Sequence, residues 1–175
     1  MFPAPFSQVL ELNSRLTGVN SVMRDQVNGK HIDLRNTGIV ALRCLIAHDK
    51  IQAEPLTAEL FKEDKHLSAF VGKDVSVVTY PCKIDSKTFL NVAIMVSEKL
   101  VDHGAEIRPG VYQAKYQIED LLDLVADFME PVKKLISMSD GCNAWQLYDL
   151  DPLQTWHKGR AVLAGDASHA MTPCE

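Results

Sequence analysis

The chain has 175 residues, the size of one ordinary domain, and its 46% hydrophobic and 23% charged residues are typical of a globular protein. Its 18 lysines and arginines stand against 23 aspartates and glutamates, and the resulting net charge of -5 argues against nucleic-acid binding. No apolar run approaches the ~20 residues of a bilayer-spanning helix and the first residues lack a secretory-signal pattern, so we expect a cytoplasmic protein without a membrane segment.

A short helix is predicted first, after a turn at Gly18. Apolar residues recur at every third or fourth position between Val19 and Val27, the spacing of one helix face. Asn20 or Ser21 precedes this pattern and is the expected N-cap, because its side chain can accept a hydrogen bond from the first turn.

A strand and a second helix are predicted next. Residues 37–47 are rich in β-branched and aliphatic residues, as in a buried strand, and carry one embedded cation, Arg43. Residues 55–65 have the spacing of a short amphipathic helix. The expected apolar side of that helix comprises Leu56, Leu60 and Phe61.

A β-hairpin follows. Residues 74–82 and 88–97 are predicted strands, and the connection 83–87 contains an Asp-Ser pair that suits a turn. Together with strand 37–47 they predict an antiparallel sheet.

The second half begins with a predicted polar loop at residues 102–110 and a helix at 118–136. Pro131 falls near the middle of that helix and predicts a kink or a break. After a turn at 139–143, a short strand is predicted at 144–150. The expected fold class is therefore α+β, with a sheet of about three to five antiparallel strands and helices packed against it.

A compact buried strand is predicted at residues 161–164, directly before Gly165 and Asp166. An apolar strand that ends in Gly-Asp often places one carboxylate at the edge of a sheet where ligands bind. Asp166 could accept hydrogen bonds from the hydroxyls of a ribose or ribityl chain, or it could be a helix N-cap. The pattern alone leaves both possibilities open.

The cysteines and histidines predict no metal site. Cys44, Cys82, Cys142 and Cys174 form no C-x-x-C pair, so reduced and mostly packed thiols are expected. The six histidines lack metal-ligand spacing. His169, after Gly-Asp, could be a general base or a residue that positions the backbone.

Residues 159–173, preceded by D-x-x-P-x-x-x-W at 149–156, resemble a known flavin motif. The match is to the second FAD motif of the class A flavoprotein monooxygenases, in the form typical of salicylate-hydroxylase-like enzymes. The resemblance implies that Gly165 and Asp166 contact FAD, with the carboxylate on the ribityl hydroxyls. It also implies that Pro173 lies near the flavin ring.

Upstream, residues 17–24 resemble the D-G-x-x-S-x-x-R motif of the same family, which implies a cofactor-binding role for Arg24. The match departs at its first position, where the family aspartate is Thr17 here. In the family that aspartate lies close to the FAD pyrophosphate and to the incoming nicotinamide nucleotide. NADPH or NADH is the reductant of full-length members.

Two further segments resemble the substrate side of fungal phenol-dearomatising members. Residues 38–43 resemble the segment with a substrate-facing arginine, and 79–81 with 90–92 resemble a tyrosine-bearing hairpin. The resemblance implies that Arg43 and Tyr80 are catalytic and hold a substrate phenolate, since a guanidinium is always charged. From the residues alone, Arg43 could equally be an ion-pair partner in the sheet and Tyr80 a core tyrosine.

None of the nine glycines forms the G-x-G-x-x-G turn that grips a dinucleotide pyrophosphate. We therefore expect a truncated member of the family that does not bind FAD tightly by itself. The expected parts are a remnant of the FAD-binding domain at 1–30, a substrate-binding sheet and helix at 31–148, and a shortened FAD motif at 149–175.

Three functions are consistent with these features. The first is an FAD-dependent monooxygenase that hydroxylates a small phenolic or polyketide-derived aromatic substrate in secondary metabolism. The second is a cofactor-free cyclase or isomerase that uses the same pocket. The third is a non-catalytic binding module that associates with a partner through the sheet edge left by the missing domain.

Overall fold

The computed structural model describes residues 18–62, 66–101 and 113–173, and for 113–115 it describes only the backbone. Two compact units are present. We call Asn36–Leu147 the sheet unit, and the described residues before 36 and after 147 the terminal unit. The predicted loop at 102–110, Thr17 and Cys174 lie outside the described residues.

The described residues contain eight strands, six α-helices and two 3-10 helices, Gly18–Asn20 and Glu98–Leu100. The strands are β1 Arg35–Ala47, β2 Ser68–Val71, β3 Val75–Ile84, β4 Lys87–Ser97, β5 Gln113–Tyr116, β6 Cys142–Asp149, β7 His157–Lys158 and β8 Ala161–Val162. The helices are α1 Met23–Asn28, α2 His48–Ala53, α3 Pro55–Leu60, α4 Ile118–Leu124, α5 Glu130–Ser137 and α6 Asp166–His169.

The main sheet has six strands in the order β2-β3-β4-β1-β6-β5. The pairs β2–β3, β3–β4, β4–β1 and β5–β6 are antiparallel, which confirms the predicted antiparallel sheet. The sheet is larger than predicted, because the four-residue strands β2 and β5 were too short to give a clear alternating pattern.

The predicted hairpin is confirmed and is tighter than expected. Only Asp85 and Ser86 separate β3 from β4, and their φ angles of 47° and 66° are both left-handed. Two such residues form the turn whose twist matches that of a two-stranded ribbon. The short turn fixes the register that pairs Tyr80 with Asn91.

The predicted helix at 118–136 is present as two helices, α4 and α5, so the break that the sequence allowed near Pro131 occurs. Pro131 lies in the first turn of α5, where its missing N–H is no loss, and therefore begins a helix instead of bending one. No helix in the described ranges is both long and apolar enough to cross a bilayer.

The predicted apolar side of the helix at 55–65 is right for Phe61 and wrong for Leu56 and Leu60. Leu56 is 50% exposed and Leu60 is 37% exposed, whereas Thr57 and Phe61 are buried. Thr57 can be buried because its hydroxyl donates to the carbonyl oxygen of Ile51, 2.7 Å away, in the unpredicted helix α2. Contact with α2 thus determines which side of α3 is buried.

One face of the main sheet forms the core of the sheet unit. Alternate residues of β1 point to it, and they pack with fully buried side chains of α4 and α5. These residues are Val40, Leu42, Cys44, Ile46, Leu121, Leu135 and Ile136. The residues between them in β1 point to the opposite face, so the same alternation that builds the core leaves the other face for a site.

In the terminal unit the two local predictions are only partly right. α1 is present, but its N-cap position is Val22, while the Ser21 hydroxyl is buried without a hydrogen-bond partner in the described residues. The predicted strand at 161–164 is reduced to β8, whose Val162 is 64% exposed, because β8 pairs only with the two-residue β7. Leu163, just after β8, is the buried residue of this segment.

An ion pair within the terminal unit joins the ends of two strands. Arg35 Nε donates to Asp149 Oδ1 at 2.7 Å, and its Nη2 donates to Asp149 Oδ2. These hydrogen bonds hold the pKa of the Asp149 carboxyl below its usual range. The bidentate geometry is the strongest form of such a pair.

Candidate functional site

A cavity of about 530 Å³ opens on the face of the sheet opposite the core. Its walls include Arg43, Tyr80, Asn91 and Trp145, which come from four different strands of the sheet unit. A volume of this size accommodates a small aromatic molecule.

The strand register explains why these side chains meet. In β3 and β4, Tyr80 pairs directly with Asn91, and Asn91 also pairs with Leu45 of β1. Arg43 lies two residues from Leu45, so it points to the same face. The central strand β4 therefore brings the arginine, the phenol and the amide together.

Arg43 is the centre of a hydrogen-bonded cluster. Its Nη2 donates to the Tyr80 hydroxyl oxygen at 3.0 Å and to Asn91 Oδ1 at 2.9 Å. Its guanidinium carbon lies 5.1 Å from the centroid of the Trp145 ring, within the range of a cation–π contact. We call Arg43, Tyr80, Asn91 and Trp145 the arginine cluster.

The cation of the cluster has no carboxylate partner in the described part of the chain. The sequence left an ion pair open for Arg43, but its contacts are a phenol, an amide and an indole ring. Asp140 also lines the cavity, yet its side chain is 90% exposed and pairs with Lys50 at 3.3 Å. The positive charge of Arg43 is thus not neutralised within the cluster.

Asn91 and Trp145 were not among the predicted site residues. Asn91 is the single polar residue of the run from Leu90 to Val96, and a buried amide in such a run needs hydrogen-bond partners. That interruption was the signal in the sequence that could have identified it. Trp145 had no comparable signal, because an aromatic residue in a strand most often packs in a core.

Two buried thiols belong to the core of the sheet unit, in residues that also border the cavity. Cys44 and Cys142 are each less than 5% exposed. Burial raises the pKa of Cys44 to about 11 and that of Cys142 to about 12, and the nearby Cys44 adds to the effect on Cys142. Both are reduced in the structure, as is the half-buried Cys82.

We expect Cys44 and Cys142 to resist alkylation in the folded protein at pH 8. The thiolate is the reactive form, and at pH 8 both thiols are protonated as well as buried. Iodoacetamide labelling followed by peptide mass spectrometry should modify Cys82 first, and the other two only after denaturation. Labelling of Cys44 at the rate of Cys82 would contradict the burial of that thiol.

In the terminal unit, the predicted cofactor residue Arg24 is buried and ties two segments together. Its Nε donates to the Ala167 carbonyl oxygen at 3.0 Å, and its Nη2 donates to the carbonyls of Asp166 at 3.0 Å and Gly18 at 3.4 Å. Burial lowers the pKa of Arg24 below its ordinary value. Arg24 thus links the backbones of the two motif segments, 17–24 and 159–173, through hydrogen bonds to their carbonyl oxygens.

Gly165 and Asp166 lie at the start of α6. Gly165 is the N-cap, with a left-handed φ of 57°, and Asp166 is the first helical residue. The N-cap alternative for Asp166 is therefore wrong, because the turn before α6 needs glycine at that position. The Asp166 carboxylate is exposed and has no hydrogen-bond partner in the described residues.

Gly18 lies beside that carboxylate. A Cβ atom at Gly18 would be 3.9 Å from Asp166 Oδ2, and the left-handed φ of 45° also favours glycine. The buried hydroxyl of Ser21, which lacks a partner, belongs to the same segment. Two motif segments thus present an unpaired carboxylate and an unpaired hydroxyl.

The two remaining candidate residues from the sequence, His169 and Pro173, follow Asp166 closely in the chain. Pro173 is exposed, after α6. The ring of His169 lies 5.4 Å, between centroids, from that of Trp156. This packing against an aromatic ring agrees with a positioning role for His169 and offers no acidic partner that would make it a base. No group of three or more metal-binding side chains occurs in the described residues.

Comparison with known proteins gives a consistent set of relatives, although no protein-family model matches the chain. An FAD-dependent monooxygenase, cfoG, from Aspergillus candidus is 29% identical over 162 residues, which cover 91% of this chain. The 3-amino-4-hydroxybenzoate 2-monooxygenase PtnB3 from Streptomyces platensis is 28% identical over 156 residues, or 89% of the chain.

A solved structure of a salicylate hydroxylase substrate complex is similar as well. It matches 89% of this chain with a TM-score of 0.65 and 26% identity. The chain spans 36% of the length of the Aspergillus protein, 35% of the Streptomyces protein and 39% of the solved chain.

Proposed function

We propose that the chain, whose similar proteins and structures reported above are monooxygenases or a salicylate hydroxylase, carries the substrate site of an FAD-dependent aromatic hydroxylase of the salicylate-hydroxylase-like type. The proposed substrate is a small phenolic or polyketide-derived aromatic molecule of secondary metabolism. The observation that carries this proposal is Arg43, a half-buried cation that faces a cavity and bonds a tyrosine hydroxyl instead of a carboxylate.

The chemistry of the arginine cluster supports a phenolic substrate. Loss of the phenol proton makes the ring electron-rich and able to attack an electrophilic oxygen. A guanidinium stabilises the oxyanion because it stays charged at every physiological pH. The Tyr80 hydroxyl accepts from Arg43, so its own proton is free to be donated to the substrate oxygen. Trp145 supplies a flat apolar wall for the ring.

The terminal unit has groups that fit FAD. We propose that the Asp166 carboxylate accepts hydrogen bonds from the ribityl hydroxyls, and that Gly165 and Gly18 let the cofactor approach closely. The Ser21 hydroxyl is a further candidate contact to FAD. Arg24 is proposed to act indirectly, by holding the backbone of both segments in place. Pro173 completes the set. When bound, FAD supplies the activated oxygen, and NADPH or NADH is the proposed source of electrons.

We propose a separate role for each unit, as the sequence suggested. The sheet unit binds the substrate, and the terminal unit contributes contacts to FAD. A cofactor-free cyclase or a non-catalytic binding module is not favoured, because the relatives reported above are monooxygenases or a hydroxylase, one of them FAD-dependent by name.

We expect Asp166→Asn to weaken FAD binding by about 10- to 100-fold, the loss that corresponds to hydrogen bonds with a charged acceptor. The change keeps the size of the side chain but removes its charge. Titration of flavin fluorescence with the full chain measures the dissociation constant, over a range that extends to millimolar concentrations because tight binding is not expected.

Asp33→Asn is the matched control. Asp33 is also an exposed aspartate of the terminal unit, but it lies outside the segments 17–24 and 149–175 that resemble FAD motifs. Its replacement should leave FAD affinity within about twofold, as for most surface changes. Equal weakening by both substitutions, or no saturable FAD binding by the unaltered chain, would refute the role of Asp166.

A further inference from the structure

Cys82 places a thiol on the wall of the cavity. In β3 it lies two residues after Tyr80 and two before Ile84, and all three line the cavity because alternate residues of a strand share a face. Cys82 is half-buried and reduced, whereas Cys44 and Cys142 belong to the core. Among the described cysteines, Cys82 is therefore the one that a molecule in the cavity can reach.

A second observation indicates that this cavity receives a molecule with an acceptor oxygen. Asn91 lines the cavity and is only 3% exposed, and its Nδ2 is buried without a hydrogen-bond partner in the described residues. Arg43 Nη2 donates to the Asn91 oxygen at 2.9 Å, so the NH₂ group points away from Arg43. A buried donor without a partner is costly, and a bound carbonyl oxygen would satisfy it.

The cavity thus combines several donors with one nucleophile. Arg43 carries only donors, and the Tyr80 hydroxyl keeps its own proton while it accepts from Arg43 at 3.0 Å. Donors of this kind stabilise the negative charge that develops on a carbonyl oxygen during an addition reaction. A quinone is a flat ring with two carbonyl oxygens and electrophilic ring carbons, and it is small enough for a cavity of about 530 Å³.

We propose that Cys82 is a modification site that captures quinones by conjugate addition, with the arginine cluster activating the quinone carbonyl. The electron pair of the sulfur forms a C–S bond to a ring carbon, and the electrons of the ring double bond move to the carbonyl oxygen. The thiol proton ends on that oxygen, and the proton of the attacked carbon ends on the other one. The product is a thioether of a dihydroxybenzene, so the step needs no further oxidant or reductant.

The inference goes beyond the proposed function and rests on it only for one source of quinones. Hydroxylation of a phenol at the ortho or para position gives a dihydroxybenzene. Dioxygen oxidises such a compound to a quinone and is itself reduced to hydrogen peroxide. Capture requires only the cavity and the thiol, so it applies equally to quinones formed elsewhere. The adduct would fill the cavity and exclude other ligands.

The test compares two thiol reagents on the full, reduced chain, with peptide mass spectrometry as the readout. 1,4-Benzoquinone reacts through a carbonyl oxygen that gains charge, whereas iodoacetamide reacts by displacement of iodide and needs no such activation. Both should modify Cys82 in the unaltered chain. Arg43→Met and Tyr80→Phe should each slow the quinone relative to iodoacetamide by about tenfold or more, the effect of losing a donor to a developing oxyanion.

The ratio of the two rates is the informative quantity, because a change in the thiolate fraction affects both reagents alike. Lys83→Met is the matched control for Arg43→Met. Lys83 is an exposed cation next to Cys82 but does not line the cavity, so its loss should leave the ratio within about twofold. Cys82→Ser should remove the adduct from this position. Circular dichroism establishes that each variant is folded, and Tyr80→Phe alone decides if Arg43→Met is not.

The outcomes separate this inference from the proposed function. A ratio that is unchanged in the folded variants would mean that Cys82 is only an exposed thiol, and the inference would be wrong while the proposed function stands. The absence of a quinone adduct at Cys82 in the unaltered chain would overturn it as well. If the ratio falls as expected but 2-ethylphenol does not bind in a calorimetric titration, the capture site is supported and the proposed function fails.

Discussion

Replacing Arg43 with methionine is expected to weaken the binding of a phenol by about 10- to 100-fold, because a charge-assisted hydrogen bond contributes about 1.5–3 kcal/mol. Methionine keeps much of the aliphatic length, so it fills the space beside Trp145 without the charge. Calorimetric titration of the full chain with 2-ethylphenol gives the dissociation constants. The effect should be larger at a pH where the bound phenol is ionised.

Two further variants test whether the loss of affinity depends on the guanidinium of Arg43 itself. Arg43→Lys keeps the charge, but the ammonium group ends short of the position of Nη2 and lacks the planar fork of donors, so an intermediate loss is expected. Lys83→Met removes an exposed cation of the same unit and should change the affinity by less than about twofold. An unchanged affinity in Arg43→Met would remove the basis of the proposed phenolate site.

Leu42→Ala is expected to lower the free energy of unfolding by about 2–5 kcal/mol, the usual cost of truncating a buried leucine. Leu42 is fully buried on the core face of β1, directly before Arg43. The loss combines the transfer of apolar surface with the cavity that remains. Urea unfolding followed by far-ultraviolet circular dichroism measures it.

Leu67→Ala is the matched control for this change. Leu67 is 65% exposed, so the same truncation removes little buried surface and should cost less than about 0.5 kcal/mol. Similar losses in the two variants would mean that β1 does not have the core face described here. The comparison also tests the alternation that points Arg43 toward the cavity.

The alternation of side chains along the strands produces both the core and the face on which the cavity opens. In β1, β3 and β4, every second residue points to the core, and the residues between them point to the opposite face, where Arg43, Tyr80 and Asn91 line the cavity. A shift of one residue in the register of β4 would bury Asn91 in the core and expose Val92. The two-residue turn at Asp85 and Ser86 protects the site against that shift.

The two segments proposed to contact FAD are held together by one side chain and not by strand register. Arg24 reaches carbonyl groups of the turn at Gly18 and of α6, which are far apart in the chain. Removing that guanidinium would take one donor away from each of these carbonyl oxygens, so it would disturb both segments together. The role of Arg24 toward FAD is thus proposed to be indirect, although its position in the motif is the same.

The amino-acid sequence by itself determined the elements whose signal is local. Runs of β-branched and aliphatic residues predicted β1, β3 and β4, and the Asp-Ser pair predicted the turn between β3 and β4. The family resemblance, and not the local pattern, indicated that Arg43 and Tyr80 could act together. Their roles as catalytic residues remain proposals.

Only the tertiary structure decided the features that depend on partners distant in the chain. Burial of Thr57 depends on a carbonyl group in α2. The orientation of the Asn91 amide depends on Arg43, which donates to its oxygen, while its Nδ2 has no hydrogen-bond partner among the described residues. Hydrogen bonds and burial of this kind link residues tens of positions apart, and no local pattern of residues carries that information.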